Sequence, residues 1–533
     1  MIKSVAFYPE YVKKEEWEKY LLQIKAGNID AIRFGEFAWG LIEPREGEFY
    51  WDLFDEAFEM TERLGIKVIL GTPTACPPVW LCENYPEILP VNEVGNKIEF
   101  GARQHRCYNS AKYREAVTSV VTELAKRYGK KSNLFAWQID NEIGAEHKYC
   151  YCDSCRRKFQ GFLKDKYKTT EDLNRRWMNT FWAQNYTDFS QIPVPKRIEA
   201  YLPMRPHPSL QYEFFAFSGK SVVEVINLQA RLIREYSDKL VTTNQDDFNY
   251  GDNVDWFDAF RELDVVAFDI YSHKMYEIGF YHDMSRSIKN KPFWMLEYGT
   301  GFPVAEMMDL ATSKGCELVG LFAYNPFPAG QEHGPASMVD MFGREQKSYF
   351  TFRDWEEKAA AKPLKKVNYY YDFKSSWAYA ATIYRTWETG DVLRNTMLTY
   401  KNYAIHTVYK SLFEANIQAE FVEDVDKADA SVPLIMPMQL LYDAELEKKL
   451  LAFMQKGGKI ITTRDLFAKN EDNAYSDRMP ELYTKVFGAD ARYFLEKPYG
   501  LYTAEGSFGK GKLILVDVET DENGWKQIIG EQV

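Results

Sequence analysis

The polarity pattern of the chain is a repeated alternation. Short apolar, β-branched or aromatic runs are each followed by a longer charged segment of helical period. The run Ser4–Tyr11 (SVAFYPEY) precedes KKEEWEKYLLQIKAG, and Ile29–Trp39 precedes DLFDEAFEMTERLG. Ile66–Ala75 (IKVILGTPTA) ends in a Pro-rich loop, and AKYREAVTSVVTELAKRYG leads into Leu134–Glu142 (LFAWQIDNE). After a long insertion-like stretch come Leu240–Phe248, Leu263–Ser272, Pro292–Gly301 and Leu318–Phe327. Eight strand candidates interleaved with helices are the count that a (β/α)8 TIM barrel needs. The runs do not alternate strictly, as expected of parallel strands buried on both faces. Many turn polar at their C-terminal ends (FGEF, QIDNE, TNQDD, DIYS, LEYGTG), the end at which such barrels carry their sites. A doubly wound sheet shows a similar alternation but concentrates polar residues at a switch point rather than at nearly every strand end.

A second pattern begins near Lys365. VNYYYDF, IQAEFVED and ASVPLIMPM read as strands, AELEKKLLAFMQKGG as a helix stopped by Gly-Gly, and KIITTRD and GKGKLILVDV as further strands. The expected organisation is a barrel over 1–364, with an insertion around 150–215, followed by a smaller α/β domain over 365–533.

Counting strands puts Glu142 at the end of the fourth and Glu297 at the end of the seventh. Two carboxyls on that rim are what glycoside hydrolysis uses, one to protonate the leaving oxygen and one as nucleophile or base. Burial against Trp137, beside Asn141, would keep a proton on Glu142. A hydrogen bond from Tyr271 and the charge of Arg103 would keep Glu297 ionised. A lone Glu at a strand end is more often a solvated or ion-paired residue, and it is the pairing of the two positions that favours chemistry.

Beyond Glu142 lies CYCDSC, with Cys150, Cys152 and Cys155 on one tight turn. Zinc takes four soft ligands. Cys107, on the loop after the third strand, is the best fourth, with His105 and His147 as alternatives. A set of four thiolates leaves no open position, so the expected metal is a structural Zn2+.

Composition narrows the partners. Seven cysteines in 533 residues without a secretion signal argue against a disulfide framework, and the expected compartment is the cytoplasm. A net charge of −12 disfavours nucleic acid, and no apolar stretch is long enough for a membrane span. Aromatic residues at 16% would suit either a large core or the stacking faces of a sugar site.

RFGEFAWGLIEPREGEFYWD, ILGTPTACPPVWL, RQHRCYNSAKYRE, WQIDNEIG, CYCDSC and LNRRWMNTFWAQNY together resemble glycoside hydrolase family 42, over about the first 330 residues. The resemblance implies retaining exo-hydrolysis of terminal β-D-galactosyl residues from oligosaccharides or glycosides, with no organic cofactor. It places Glu142 on the acid/base position and Glu297 on the nucleophile position. It puts Arg103, Asn141 and Tyr271 on sugar-contacting positions, and Cys107, Cys150, Cys152 and Cys155 on zinc positions. It also implies a glutamine-amidotransferase-like second domain and a homotrimer in which Trp182 approaches a neighbour's site. The family's small C-terminal β-domain looks short or missing. Two segments depart from the family. EYGTGFPVAEMM lacks the expected Trp after the nucleophile, and in AYNPFPAGQEHGPASM Glu332 fits while His333 is off register. These changes open the glycone to α-L-arabinopyranoside, β-mannoside, β-glucoside or β-fucoside. A carbohydrate-binding protein without catalysis would be expected to lack a carboxylate, and both are present.

Overall fold

The structure is a computed structural model that describes residues 1–197, 206–246, 254–334, 336–358, 365–382, 399–475, 479–488, 504–518 and 520–533. It divides into two units. The first holds 1–155, 218–249 and 254–361; the second holds 156–217, 250–253 and 362–533.

The first unit is a closed barrel. Its strands are β1 (Ile2–Ala6), β2 (Ala31–Phe34), β3 (Lys67–Gly71), β4 (Leu134–Gln138), β5 in two pieces (Leu240–Thr242 and Asn244–Asp246), β6 (Ala267–Ile270), β7 (Phe293–Tyr298) and β8 (Cys316–Leu321). Every pairing is parallel. The first piece of β5 pairs with β4, the second with β6, and β1 pairs with both β2 and β8. The sheet therefore returns on itself, which excludes an open doubly wound arrangement for this unit. The strands are buried along nearly their whole length, which is why the sequence shows continuous apolar runs. Helices fill the intervals. Ser110 caps Ala111–Tyr128 by accepting from the Tyr113 amide, and Asp52–Leu64 stops at Gly65, whose φ is 66°.

One irregularity matters for the site. Along β6 and β7, Ala267 pairs with Trp294 and Phe268 with Met295, but Asp269 pairs with Glu297. Leu296 is the extra residue of a β-bulge. Side chains alternate along a strand, so without the bulge Trp294 and Glu297 would point to opposite faces. With it they share one face, the face on which Trp294 packs with Ala31, Ile69, Ala136 and Ala267 in a buried cluster. Glu297 and Asp269 are thereby aimed inward together, at the C-terminal mouth.

In the second unit, β9 (Lys365–Tyr369), β10 (Ile417–Phe421), β11 (Leu434–Met436), β12 (Lys459–Thr463), β13 (Ala504–Phe508) and β14 (Gly511–Val516) form a sheet ordered β10-β9-β11-β12-β14-β13. All neighbours are parallel except β13 and β14. Residues 156–217 pack within this unit. Tyr167 Oη lies 2.7 Å from both Glu213 Oε1 and Asp472 Oδ1, and Arg176 Nε reaches Asp472 at 2.5 Å. No helix among the described residues is long and apolar enough to cross a membrane.

The bulge needs a partner without a side chain. A Cβ on Gly320 would stand 2.2 Å from the Leu296 carbonyl oxygen, a backbone atom that cannot swing away. Gly320→Ala is expected to cost about 1–3 kcal/mol, read as a lower thermal unfolding midpoint; an unchanged midpoint would contradict the tight fit.

Candidate active site

Glu142 lies four residues beyond the end of β4, in a turn that bends the chain back over the barrel mouth. Both Asp140 (φ 58°) and Glu142 (φ 44°) adopt left-handed backbone, which costs an L-residue about 1–2 kcal/mol. Hydrogen bonds hold the turn. The Asp140 amide donates to Thr72 Oγ1 (2.7 Å), and its carboxylate takes Arg106 (2.7 Å) and Thr74 Oγ1 (2.5 Å). Gln104 Nε2 donates to the carbonyls of Asn141 (2.9 Å) and Glu142 (2.8 Å), and the Glu142 amide donates to Asn244 Oδ1 (3.1 Å). Asp140 is thus a supporting residue for the turn.

The turn and the bulge bring three buried carboxyls together: one oxygen each of Glu142, Asp269 and Glu297 lie within 4.8 Å of one another. Their surroundings differ. Glu297 Oε1 meets Arg33 Nη2 at 2.6 Å, and Tyr271 Oη donates to Glu297 Oε2 at 2.5 Å. Burial, reinforced by Glu297, pushes the Tyr271 hydroxyl well up, so it stays a donor. Burial first, and then the charge of Glu297, pushes Glu142 well above the usual carboxyl range. Arg103, 2.9 Å from Glu142 Oε2, pulls the other way and is outweighed. Asp269 is likewise pushed up, by burial and then by Glu297 and Glu142.

Two expectations need correction. Arg103 does not serve Glu297: it pairs with Glu142 and Glu146, because the loop after β3 crosses to the β4 turn. The cation at Glu297 is Arg33, from the middle of β2. Nor is Trp137 the wall beside Glu142. Its Nε1 donates to Ser237 (3.0 Å), in the turn before β5, and Ser237 in turn donates to the Gly129 carbonyl.

The four thiols form a separate cluster. Cys107 Sγ lies 3.6 Å from Cys152 Sγ and 3.4 Å from Cys155 Sγ, and all four sulfurs, including Cys150, lie within 4.8 Å of one another. A tetrahedral zinc with Zn–S bonds near 2.3 Å needs sulfurs about 3.8 Å apart, so the cluster fits one. The Val91 amide (3.4 Å to Cys150), the Cys155 amide (3.5 Å to Cys152) and Asn109 Nδ2 (3.4 Å to Cys155) donate to the sulfurs, as suits thiolates. The histidine alternatives stay outside the cluster; His105 Nε2 is 3.1 Å from the Pro77 carbonyl.

Residues 6–361 match the family model described as beta-galactosidase of glycoside hydrolase family 42. The chain belongs to that family. Residues 365–498 match the model described as the beta-galactosidase trimerisation domain. Beta-galactosidase BgaA of Clostridium cellulovorans is 28% identical over 536 residues, covering 95% of this chain and 79% of that protein. A beta-galactosidase of Thermus thermophilus is 31% identical over 416 residues, 70% of this chain and 64% of that protein. The chain therefore spans 64% to 79% of the length of these two relatives. Among solved structures, the beta-galactosidase of Halorubrum lacusprofundi superposes with a TM-score of 0.86 at 24% identity (100% of this chain, 89% of that one). That of Bacillus circulans gives 0.87 at 22% identity (99% and 88%).

Of the remaining expected contacts, Glu332 interacts electrostatically with Arg103 and Glu297. Glu332 is exposed, on a loop that Gln331 Nε2 ties to the Gly101 carbonyl (2.7 Å), close in the chain to Arg103. His333 is exposed, with Nδ1 2.9 Å from the Gly330 carbonyl. Trp182 lies in the second unit, 67% exposed and packed on Phe181. Where the expected Trp is absent, Phe302 stands beside Tyr271 (6.4 Å between centroids) and stacks on His273. Sequence reasoning missed Arg33, Glu36 (whose Oε1 lies 3.3 Å from Arg33 Nη2), Gln104, Asn244 and Asp269. For two of these a signal was present: a single charged residue inside an otherwise apolar strand run, Arg33 in AIRF and Asp269 in AFDI.

Proposed function

We propose that the protein is a retaining β-galactosidase that releases terminal β-D-galactosyl residues. The observation that carries this reading is the separation of Glu142 and Glu297, with oxygens within 4.8 Å. Retaining enzymes hold their carboxyls about 5–5.5 Å apart, and inverting enzymes about 6.5–9.5 Å. Glu297 attacks the anomeric carbon while Arg33 and Tyr271 hold its charge. Glu142 gives its proton to the departing glycosidic oxygen. In the second half, Glu142 takes a proton from water, which attacks the same carbon and frees Glu297. No step calls for an organic cofactor. The family match supports the galactosyl glycone. The missing Trp after Glu297 and the off-register His333 favour, as a second reading, one of the related glycones (α-L-arabinopyranoside, β-mannoside, β-glucoside or β-fucoside), with the same mechanism. A non-catalytic carbohydrate-binding role is disfavoured by the intact pair.

The trimerisation-domain match supports a homotrimer. The cysteine cluster is read as a structural zinc site, which when filled would pin the β4 loop and the start of helix Asp153–Tyr167 to the loop of Cys107.

Glu297→Ala is expected to lose several orders of magnitude in turnover of aryl β-galactosides, with azide partly restoring it as the α-galactosyl azide. Unchanged turnover would contradict the nucleophile assignment. Metal analysis is expected to find about one zinc per chain, and chelation to lower the thermal midpoint while turnover below it persists. Turnover abolished with the fold intact would make the metal catalytic instead.

A further inference from the structure

Asn244 lies on β5 and is fully buried. Every polar atom of its side chain is committed. Oδ1 accepts the Glu142 amide (3.1 Å), and Nδ2 donates to Asn141 Oδ1 (2.9 Å) and to Asp269 Oδ2 (2.5 Å). Each contact bears on the carboxyl four residues past β4. The first pins the backbone of Glu142 in its left-handed conformation. The second fixes the orientation of the Asn141 amide: with Oδ1 taken by Asn244, Arg33 and Gln138, its Nδ2 is turned to Glu142 Oε2 (3.4 Å). The third fixes Asn244 itself. Asp269 is also fully buried, and its second oxygen has no hydrogen-bond partner among the described residues. Asp269 sits opposite Glu297 across the β6–β7 ladder, so it ties the Glu142 side of the site to the Glu297 side.

We propose that Asn244, locked by Asp269, is a positioning residue for the acid/base carboxyl, presetting Glu142 for transfer of its proton to the leaving oxygen. This inference rests on the reading of Glu142 as the acid/base. The side-chain hydrogen bonds of Asn244 go to the Glu142 amide, Asn141 and Asp269, so it acts through the Glu142 backbone and the Asn141 amide. The site has reason to need such a residue. A turn with two left-handed residues in three has low intrinsic stability, and small displacements of a proton donor cost rate steeply. Asp269 serves as an acceptor and orienter, a task that a neutral amide of the same shape can also perform.

The test compares kcat/KM for β-galactosides with different leaving groups, since this ratio covers the steps up to the glycosyl-enzyme. Asn244→Ala is expected to lose about tenfold to a hundredfold on phenyl β-galactoside, whose leaving oxygen needs the proton, and only about two- to threefold on 2,4-dinitrophenyl β-galactoside, which departs unaided. Asp269→Leu is expected to show the same split, whereas Asp269→Asn, whose amide oxygen still accepts from Asn244, is expected to lose clearly less than Asp269→Leu on phenyl β-galactoside. An equal loss on both substrates, no loss, or an Asp269→Asn variant as impaired as Asp269→Leu would overturn the proposal. If Asn244→Ala does not fold, the two Asp269 variants decide alone. Glu142→Ala must itself show the split, with azide giving β-galactosyl azide. A uniform loss there overturns the acid/base reading, while a uniform loss confined to Asn244→Ala overturns only the positioning role.

Discussion

Two carboxyl groups within 4.8 Å of each other, both buried, do not readily ionise together. The rest of the site can be understood as deciding which of them carries the charge. Arg33 and Tyr271 converge on Glu297 and stabilise its anion. Glu142 meets a cation as well, but burial and the charge of Glu297 outweigh Arg103 and leave it as the proton holder. In the proposed mechanism, environment alone divides this pair of like residues into nucleophile and acid.

That division depends on backbone devices. The bulge at Leu296 turns Glu297 inward, and Gly320 makes room for the bulge carbonyl. On the other side, a strained turn places Glu142, and Thr72, Gln104 and Asn244 hold that turn through hydrogen bonds from three different stretches of chain. The barrel supplies a rigid frame, and these irregularities in it do the aiming. The cysteine cluster lies farther along the same loop. Its sulfur spacing suits a clamp on the loop and leaves the proton chemistry to the carboxyls.

Much of this was legible in the sequence. The eight strands showed because parallel strands buried on both faces leave apolar runs, and polar strand ends marked the mouth. Counting strands then located Glu142 and Glu297. The cysteines announced themselves by density. Harder to read were contacts that depend on which way a side chain leaves its strand. Arg33 sits in an apolar run and reaches Glu297 across the barrel, while Arg103, nearer in apparent loop order, goes to Glu142. Trp137 precedes the turn by three residues, yet its side chain is on the helix side. Asn244 and Asp269 looked like ordinary strand polarity, and only the closed barrel with its bulge puts them beside the carboxyls.

The central claim is that burial, and then the neighbouring Glu297 carboxyl, raise Glu142 so that it serves as the proton donor. A group whose ionisation is pushed up by its surroundings stays protonated, and active as an acid, until the pH rises through that raised value. The most direct measurement is the pH dependence of kcat/KM for 2,4-dinitrophenyl β-galactoside, which does not require the proton, and phenyl β-galactoside, which does, in wild type and Glu142→Gln. Wild type is predicted to lose phenyl β-galactoside turnover on an alkaline limb above the ordinary carboxyl range and to show no such limb on the dinitrophenyl substrate, and the residual phenyl β-galactoside turnover of Glu142→Gln is predicted to lack the limb. The same limb persisting in Glu142→Gln would contradict the account.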